Sequence, residues 1–398
     1  HKFRKMDELN KIFRDLGLTG KEVIFVEHHL SHAACAYRSS PWQYDEPVLV
    51  FTADGAGDGL SSTVSIGEKG ELNRIAESIY YDSVGNVFYS EITRYLGLRP
   101  WDHEYKVMGL AAYGRAEYSI DQIKKIIKID PNDPLKFKNT IGGYLKSEQP
   151  KLFRLLQGHR FDNIAAATQS WFEQLMVTWI KNAIEKTGIH KIACAGGLFL
   201  NVKANQLIVN LPQVDDAFFY PAAGDAGTPV GAALQAYHTY CVREGIKSEK
   251  VELTDVYYGP EFTNEEIEAA IKKSGWRKNA EFYDDIDGVI GEFLAKGKIV
   301  ARFNGRLEWG PRALGNRSIL ADARDYRTVW KINFMIKHRD FWMPFAPTIL
   351  EERMDEYLVD ARSARYMVLS FDTTEKRDDI IAAIHPKDKT CRPQTLNE

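Results

Sequence analysis

The order of features in residues 46 to 79 limits the fold more than any other stretch. "EPVLVFTAD" (46–54) is an apolar run ending in an acid, and "GAGDG" (55–59) follows as a glycine-rich turn. "SSTVSIGEKGELNRIAESI" (61–79) then alternates apolar and polar residues around a Glu-Lys-Gly-Glu turn. Alternation of this kind marks a hairpin, while the unbroken apolar run marks a strand covered on both faces. Strand-like pieces return as "KIACAGG" (191–197) and "DAFFYP" (216–221), each followed by a helical pattern. Strand and helix units in succession imply an α/β fold with a largely parallel or mixed sheet. "EVIFVE" (22–27) reads as a further buried strand and "LSHAACAYRSS" (30–40) as a short helix. Residues 115–190 read as helical, above all "DNIAAATQSWFEQLMVTWIKNAIEKTG", closed by Gly188. A polar stretch near 244–262 reads as a linker. Beyond it lie the helices "TNEEIEAAIKKSG" and "IDGVIGEFLAKG" and the strand "KIVARF".

Composition removes several function classes. With 398 residues, 44% of them hydrophobic, the chain has material for two domains with cores of their own. A net charge of −3 gives no basic field for nucleic acid or membrane. No apolar run approaches a membrane span. Cys35, Cys194, Cys241 and Cys391 show no CxxC spacing, which argues against a structural zinc site or a disulfide framework and for a reducing compartment. The first residues, with Phe3, Met6, Leu9, Ile12, Phe13 and Leu16 on one side and acids between, fit a docked helix better than a transit peptide. A cytoplasmic enzyme is expected.

Three loops carry chemistry. In "VEHHLSHAACAY", His28 and His32 are four residues apart, hence on one helix face. The motif is not HExxH, because His29 follows His28. Asp54 ends the next strand before Gly55, Gly57 and Gly59. Asp225 lies in the Gly-flanked loop of "PAAGDAG"; its plain alternative role is a helix N-cap. Two histidines and two carboxylates at strand ends make a mixed N/O set suited to Fe(II), Mn(II) or Zn(II). In "CAGGLFLNVKAN", the pair Gly196-Gly197 lets a flat group approach the backbone, where Asn201 and Asn205 offer amides; the alternative is close helix–strand packing.

These segments, in this order, resemble the O-carbamoyltransferases of the NodU type. The likeness rests on "EHHLSHAA", "DGAGDG", "EYKVMGLAAYG" (104–114), "CAGGLFLNVKAN", "PAAGDAG", "FNGRLEWGPRALGNRSILADAR" (303–324) and "INFMIKHRDFWMPFAPTIL" (332–350). It implies an N-terminal unit (1–247) of the actin/sugar-kinase/Hsp70-like (ASKHA) fold, similar to threonylcarbamoyl transferases. An α+β YrdC-like unit (248–398) would follow. His28, His32, Asp54 and Asp225 would hold the metal. Gly55, Gly57, Asp58, Gly196, Gly197, Asn201, Asn205, Arg317 and Ser318 would bind nucleotide, and Lys106 is a candidate contact to phosphate or acceptor.

In the C-terminal unit, Arg306, Arg312, Arg317 and Arg324 surround one acid, Glu308. They are interleaved with apolar residues, which favours an internal anion pocket over a surface patch. Lys337 and Arg339 form a K-x-R resembling the YrdC motif, so Arg306, Arg312, Lys337 and Arg339 join His28 and His32 as expected catalytic residues. Expected partners are carbamoyl phosphate, ATP and an acceptor hydroxyl, with no nucleic acid and no membrane; a homodimer is left open. The alternatives are a tRNA threonylcarbamoyladenosine-type transferase and a non-catalytic nucleotide-binding module. The family's His-Asp-Ser-Ser segment before residue 1 and its Asn-Thr-Ser-Phe-Asn segment after "RPQT" are absent, and its "VDGT" is part of "PKDKT" (386–390) here. A piece truncated at both ends, with an exposed sheet edge, is therefore expected.

Overall fold

A five-stranded mixed sheet organises the chain, which the computed structural model describes over residues 2–397, with side chains from residue 7 on. Its first three strands, β1 (Val48–Gly57), β2 (Leu60–Glu68) and β3 (Glu71–Ile79), form an antiparallel meander. β4 (Ile127–Asp130) and β5 (Asp133–Asn139) make a separate hairpin. β6 (Lys191–Ala195) and β7 (Asp216–Phe219) then run parallel to β1, giving the order β3-β2-β1-β6-β7. The β2–β3 turn is made by Lys69 and Gly70, both at positive φ, as a two-residue hairpin turn needs.

β1 is covered on both faces, as its unbroken apolar run requires. Leu49, Phe51 and Ala53 point to one core with the Phe161–Thr187 helix, where Trp179 meets Phe51 edge-on at 5.0 Å. Val48 and Val50 point to the other, with Cys35 and Tyr37 of the His28–Ser39 helix. That helix is backed by the Thr228–Glu244 helix. A Cβ on Gly231 would stand 1.8 Å from the Ser31 carbonyl oxygen, so only glycine permits the approach.

Some expectations need correction. Residues 22–27 form no strand, and Phe25 is 74% exposed. Apolarity alone gives a segment no place in a ladder, and both lanes beside β1 are taken by β2 and β6. The β4–β5 hairpin interrupts the supposedly helical 115–190. In the Lys2–Asp15 helix, Leu9 and Phe13 are half-buried but Ile12 and Leu16 are exposed; Phe3 and Met6 lie outside the described side chains. Among the described residues, no helix is long and apolar enough to cross a membrane.

Residues 246–262 form no helix or strand, although Val256 within them is buried, and the Thr263 capping box starts the next helix, Asn264–Lys273. Ile349, Leu358, Leu369, Phe371 and Ile384 pack into the same core as Phe51 and Trp179. Residues 264–341 are by contrast mostly exposed, Trp276, Phe282, Trp330 and Phe334 among them.

Candidate active site

The His28–Ser39 helix starts where β1 ends. Its first turn is held by Glu27, whose carboxylate accepts the N–H groups of His29 and Leu30 at 2.9 and 2.8 Å, and by Asp58, which accepts the His28 N–H at 2.9 Å. A Cβ on Gly57 would lie 2.1 Å from the His28 ring, so this glycine makes room for the imidazole. Glycine at 197 likewise spares Asp54 Oδ1, from which a Cβ would be 2.9 Å. The backbone thus delivers His28, His32 and Asp54 to one point.

Asp225 joins them from the loop that follows β7. It opens the short turn Asp225–Gly227 and does not cap the helix that follows; Gly227 holds that position. Its carboxylate is 75% exposed, with Oδ1 3.5 Å from His28 Nε2 and 3.6 Å from His32 Nε2. His28 Nε2, His32 Nε2 and Asp54 Oδ2 are mutually 3.2 Å apart. All four ligand atoms fall within 4.8 Å of one another.

These spacings fit a bound cation. Ligand atoms at about 2.1 Å from one ion are separated by roughly 3.0 Å at right angles and roughly 3.4 Å at tetrahedral angles. Two Nε2 atoms facing each other beside two carboxylates are also a donor set that an ion satisfies better than hydrogen bonds do. The electrostatics agree. Burial alone would raise Asp54, but the imidazoles of His28 and His32 hold it far below the usual carboxylate range. Burial lowers His32, and the carboxylates of Asp225 and Asp54 outweigh that and raise it. His29, buried one residue away, turns from the cluster to the Thr52 hydroxyl at 2.8 Å; burial and then the neighbouring imidazoles bring it down to about 4.

The arginines do not ring Glu308 as expected. Glu308 accepts the backbone N–H groups of Leu314, Asn316 and Arg317 and the Arg317 side chain, and so shapes the 308–317 loop. Arg324 pairs with Asp322, and Arg306 reaches the carbonyls of Tyr258 and Gly259 at 3.3 Å. Arg312 turns elsewhere, toward Arg339 and toward Arg392, a residue the motifs did not mark. Burial, then Arg339, lowers Arg312 to about 10; burial, then Arg312 and Arg339, lowers Arg392 well below its ordinary value. Among the described residues none of the three is paired with a carboxylate, and Arg392 Nε is buried without a partner. Three guanidinium groups so close together leave positive charge that an anion would neutralise.

Comparison with known proteins fixes the kinship. The chain matches the family models "Carbamoyltransferase N-terminus" over residues 6–234 and "Carbamoyltransferase C-terminus" over residues 291–398. It belongs to the carbamoyltransferase family. An uncharacterized protein of Methanocaldococcus jannaschii is 34% identical over 98% of this chain and 65% of its own length. Nodulation protein NolNO of Sinorhizobium fredii is 33% identical over 94% of this chain and 55% of its own. Nodulation protein NolO of Bradyrhizobium diazoefficiens is 32% identical over 94% and 67%. The chain thus spans little more than half to two thirds of these relatives. Among solved structures, HypF of T. kodakarensis gives a TM-score of 0.31 at 16% identity over 58% of this chain and 38% of that one, too slight to bear on the fold.

Other expected site residues of this carbamoyltransferase-family chain are placed as follows. Asn201 caps the Val202–Val209 helix and pairs with the Gln169 amide. Asn205 is wholly buried and donates to the carbonyls of Phe199 and Val368, tying the chain's two halves together and leaving it out of reach of a ligand. Gly196, at φ +104, would strike the Ala53 backbone with any side chain, and Gly55 accommodates Asn86. Packing explains the identity of these glycines. Ser318 accepts the Gly315 N–H, and Lys337 is exposed at the end of a helical turn. Lys106 pairs with Asp340 at 3.0 Å, next to Arg339, so it links the 104–111 helix to the K-x-R segment.

Proposed function

We propose that this chain carries out carbamoyl transfer at two sites. Water cleaves carbamoyl phosphate to carbamate and inorganic phosphate, and a carbamate oxygen then attacks the α-phosphorus of ATP, releasing pyrophosphate and leaving carbamoyl-adenylate. An acceptor hydroxyl then attacks the carbamoyl carbon, its proton is lost, and AMP departs. The observation that carries the reading is the convergence of His28, His32, Asp54 and Asp225 within 4.8 Å. A divalent cation held there, Fe(II) by preference and Mn(II) or Zn(II) otherwise, would polarise the carbamoyl carbonyl and stabilise negative charge on its oxygen. The four side chains fix that position, and Asp58 and Glu27 hold the helix that presents two of them.

The first step is assigned to Arg312, Arg339 and Arg392, whose unneutralised charge suits phosphate, with Lys337 and Arg306 as further proposed contributors. The glycine loops at 55–59 and 196–197, with Asp58, Asn201, Arg317 and Ser318, are the proposed nucleotide surroundings. In fold terms the half bearing the cluster is assigned to the ASKHA class and the later half to a YrdC-like unit. Carbamate and its adenylate hydrolyse readily, so passage between sites within one molecule protects them.

The test supplies carbamoyl phosphate, ATP and Fe(II) and follows AMP and pyrophosphate. Lys337→Ala is expected to stop pyrophosphate release. His28→Ala is expected to spare it while lowering transfer about 10²- to 10³-fold, the usual cost of losing charge stabilisation at a carbonyl. Wild-type behaviour in both variants rejects the two-site reading.

A further inference from the structure

Asp340 follows Arg339 directly, and a carboxylate in that place has two ways to find a positive charge. One is the guanidinium of its neighbour. Elsewhere the chain makes such a pair between adjacent residues, Arg243 with Glu244 at 3.1 Å, so the reach is sterically possible. Asp340 does not take it. Its Oδ2 stands 3.0 Å from the Lys106 ammonium, and only 19% of the lysine side chain and 33% of the aspartate side chain are exposed. Arg339 lies instead 5.6 Å from the Phe345 ring centre, and among the described residues no ion pair joins it to a carboxylate.

The backbone arranges this choice. Lys106 belongs to the helix Glu104–Ala111, and the Trp342 indole N–H donates to the Lys106 carbonyl at 3.2 Å, two residues from Asp340. Gly109 of the same helix lets that segment close in. A Cβ there would stand 3.3 Å from Met343 Sδ and from Trp342 Cδ1. The Gly109 carbonyl in turn accepts from His385 Nε2 at 2.9 Å, shortly before Arg392 in the chain. The helix is thus fastened both to the segment that carries Arg339 and to the one that carries Arg392. Tyr105, beside Lys106, lies close enough to Arg312 to favour its charge.

We propose that Lys106 is a positioning residue for the phosphate step: by occupying Asp340 it keeps that carboxylate off Arg339, and so leaves the charge of Arg312, Arg339 and Arg392 to an incoming phosphate. The inference rests on the assignment of these arginines to the first step and adds how their charge is kept available. A carboxylate largely withdrawn from water needs a cation, and the two-pronged guanidinium suits it better than an ammonium does. Without Lys106, Asp340 turns to Arg339 and competes with phosphate there. Lys106 itself makes no contact with the phosphate, which sets it apart from a direct ligand.

The test is a double-mutant cycle read as the Kd of inorganic phosphate, measured by titration calorimetry on the whole chain at constant ionic strength, with Tm in phosphate-free buffer alongside. Lys106→Met is expected to weaken phosphate binding about ten-fold, while Lys106→Arg, which keeps the pair, stays near wild type. With Lys106 present, Asp340→Asn should change the Kd by no more than about two-fold; in the Lys106→Met background it should restore about ten-fold. If Asp340→Asn acts by the same factor in both backgrounds, the two side chains are independent, Lys106 is a direct contact, and the inference is overturned. A Lys106→Met chain that binds phosphate like wild type overturns it too. So does a chain in which Lys106→Met and the double variant lose Tm and phosphate affinity alike, because Lys106 then only holds the helix in place. A wild type that binds no phosphate sinks the arginine assignment itself and the inference with it, a result distinct from the others.

Discussion

Among the described residues, Glu148 and Arg392, one in each half of the chain, are buried ionisable groups with unpaired polar atoms, and the two halves deal with them differently. Glu148 is fully buried near Glu91, with neither carboxyl oxygen hydrogen-bonded. Burial, then the Glu91 charge, pushes its pKa up to about 8. Arg392 is enclosed beside Arg312 and Arg339 with its Nε unpaired. A carboxyl group escapes this position by keeping its proton. A guanidinium cannot shed its own inside a protein, so only a counter-ion relieves it. The first group therefore needs no counter-ion at neutral pH, whereas the second carries a charge that an anion would neutralise.

The largest expected effect bears on that contrast directly. Inorganic phosphate at a hundred times its Kd should stabilise the chain by about 2.7 kcal/mol, seen as a rise in Tm. Arg392→Met should abolish most of this response. In phosphate-free buffer it should leave Tm unchanged or higher, because an apolar side chain replaces a crowded charge. An equal phosphate response in both proteins would mean that Arg392 is neutralised within the chain, and the contrast with Glu148 would be lost.

Glu148 provides the converse measurement. Its folded-state pKa of about 8 lies above the ordinary 4.5, so the unfolded chain gives up this proton first. The group costs nothing below the unfolded value, and stability falls as pH rises from there through about 8. Glu148→Gln removes the charge and keeps the shape. At pH 9 it should be more stable than wild type by about 1–3 kcal/mol, the cost of a buried unpaired polar group, and near pH 4 the two should coincide in urea unfolding. A constant difference across that range would show that Glu148 is charged and paired.

The same division governs what the sequence discloses. The β2–β3 hairpin is legible because alternation and the Lys69-Gly70 turn are local. The β4–β5 hairpin is equally local: Pro131, Asn132, Asp133 and Pro134 stand between "IKI" and "LKFK", a turn signal that outweighs the helical pattern on either side. Residues 22–27 mislead because an apolar run states a need for burial and not a partner. In the cluster, the spacing of His28 and His32 can be read directly, while Asp225, 171 positions beyond Asp54, enters only through the loop motif and the family likeness. Arg392 carries no motif of its own. Its part depends on where Arg312 and Arg339 arrive in space, and the arginine-rich segment drew attention to Glu308 instead. Of the four arginines near that acid in sequence, Arg317 pairs with it, Arg306 and Arg324 find other partners, and Arg312 turns toward Arg339 and Arg392.

The smallest expected effect lies just before Arg392. The family's "VDGT" is Lys387-Asp388-Lys389-Thr390 here, and Lys389, standing where the glycine would be, adopts φ +63. A non-glycine residue in that region costs about 1–2 kcal/mol, and glycine returns part of the gain through its freer unfolded chain. Lys389→Gly should therefore stabilise the protein by about 0.5–1 kcal/mol, less whatever the Lys389 contact to the Pro386 carbonyl at 2.8 Å contributes. Asp388 is anchored independently, by His385 and Lys203, so the turn should keep its course. If strain and anion demand are separate properties of this stretch, the phosphate response of Lys389→Gly will equal that of wild type while its Tm rises. A response that shifts with Tm would tie the twist at residue 389 to the placement of Arg392, and the anion site would then owe its geometry to a turn this chain holds under strain.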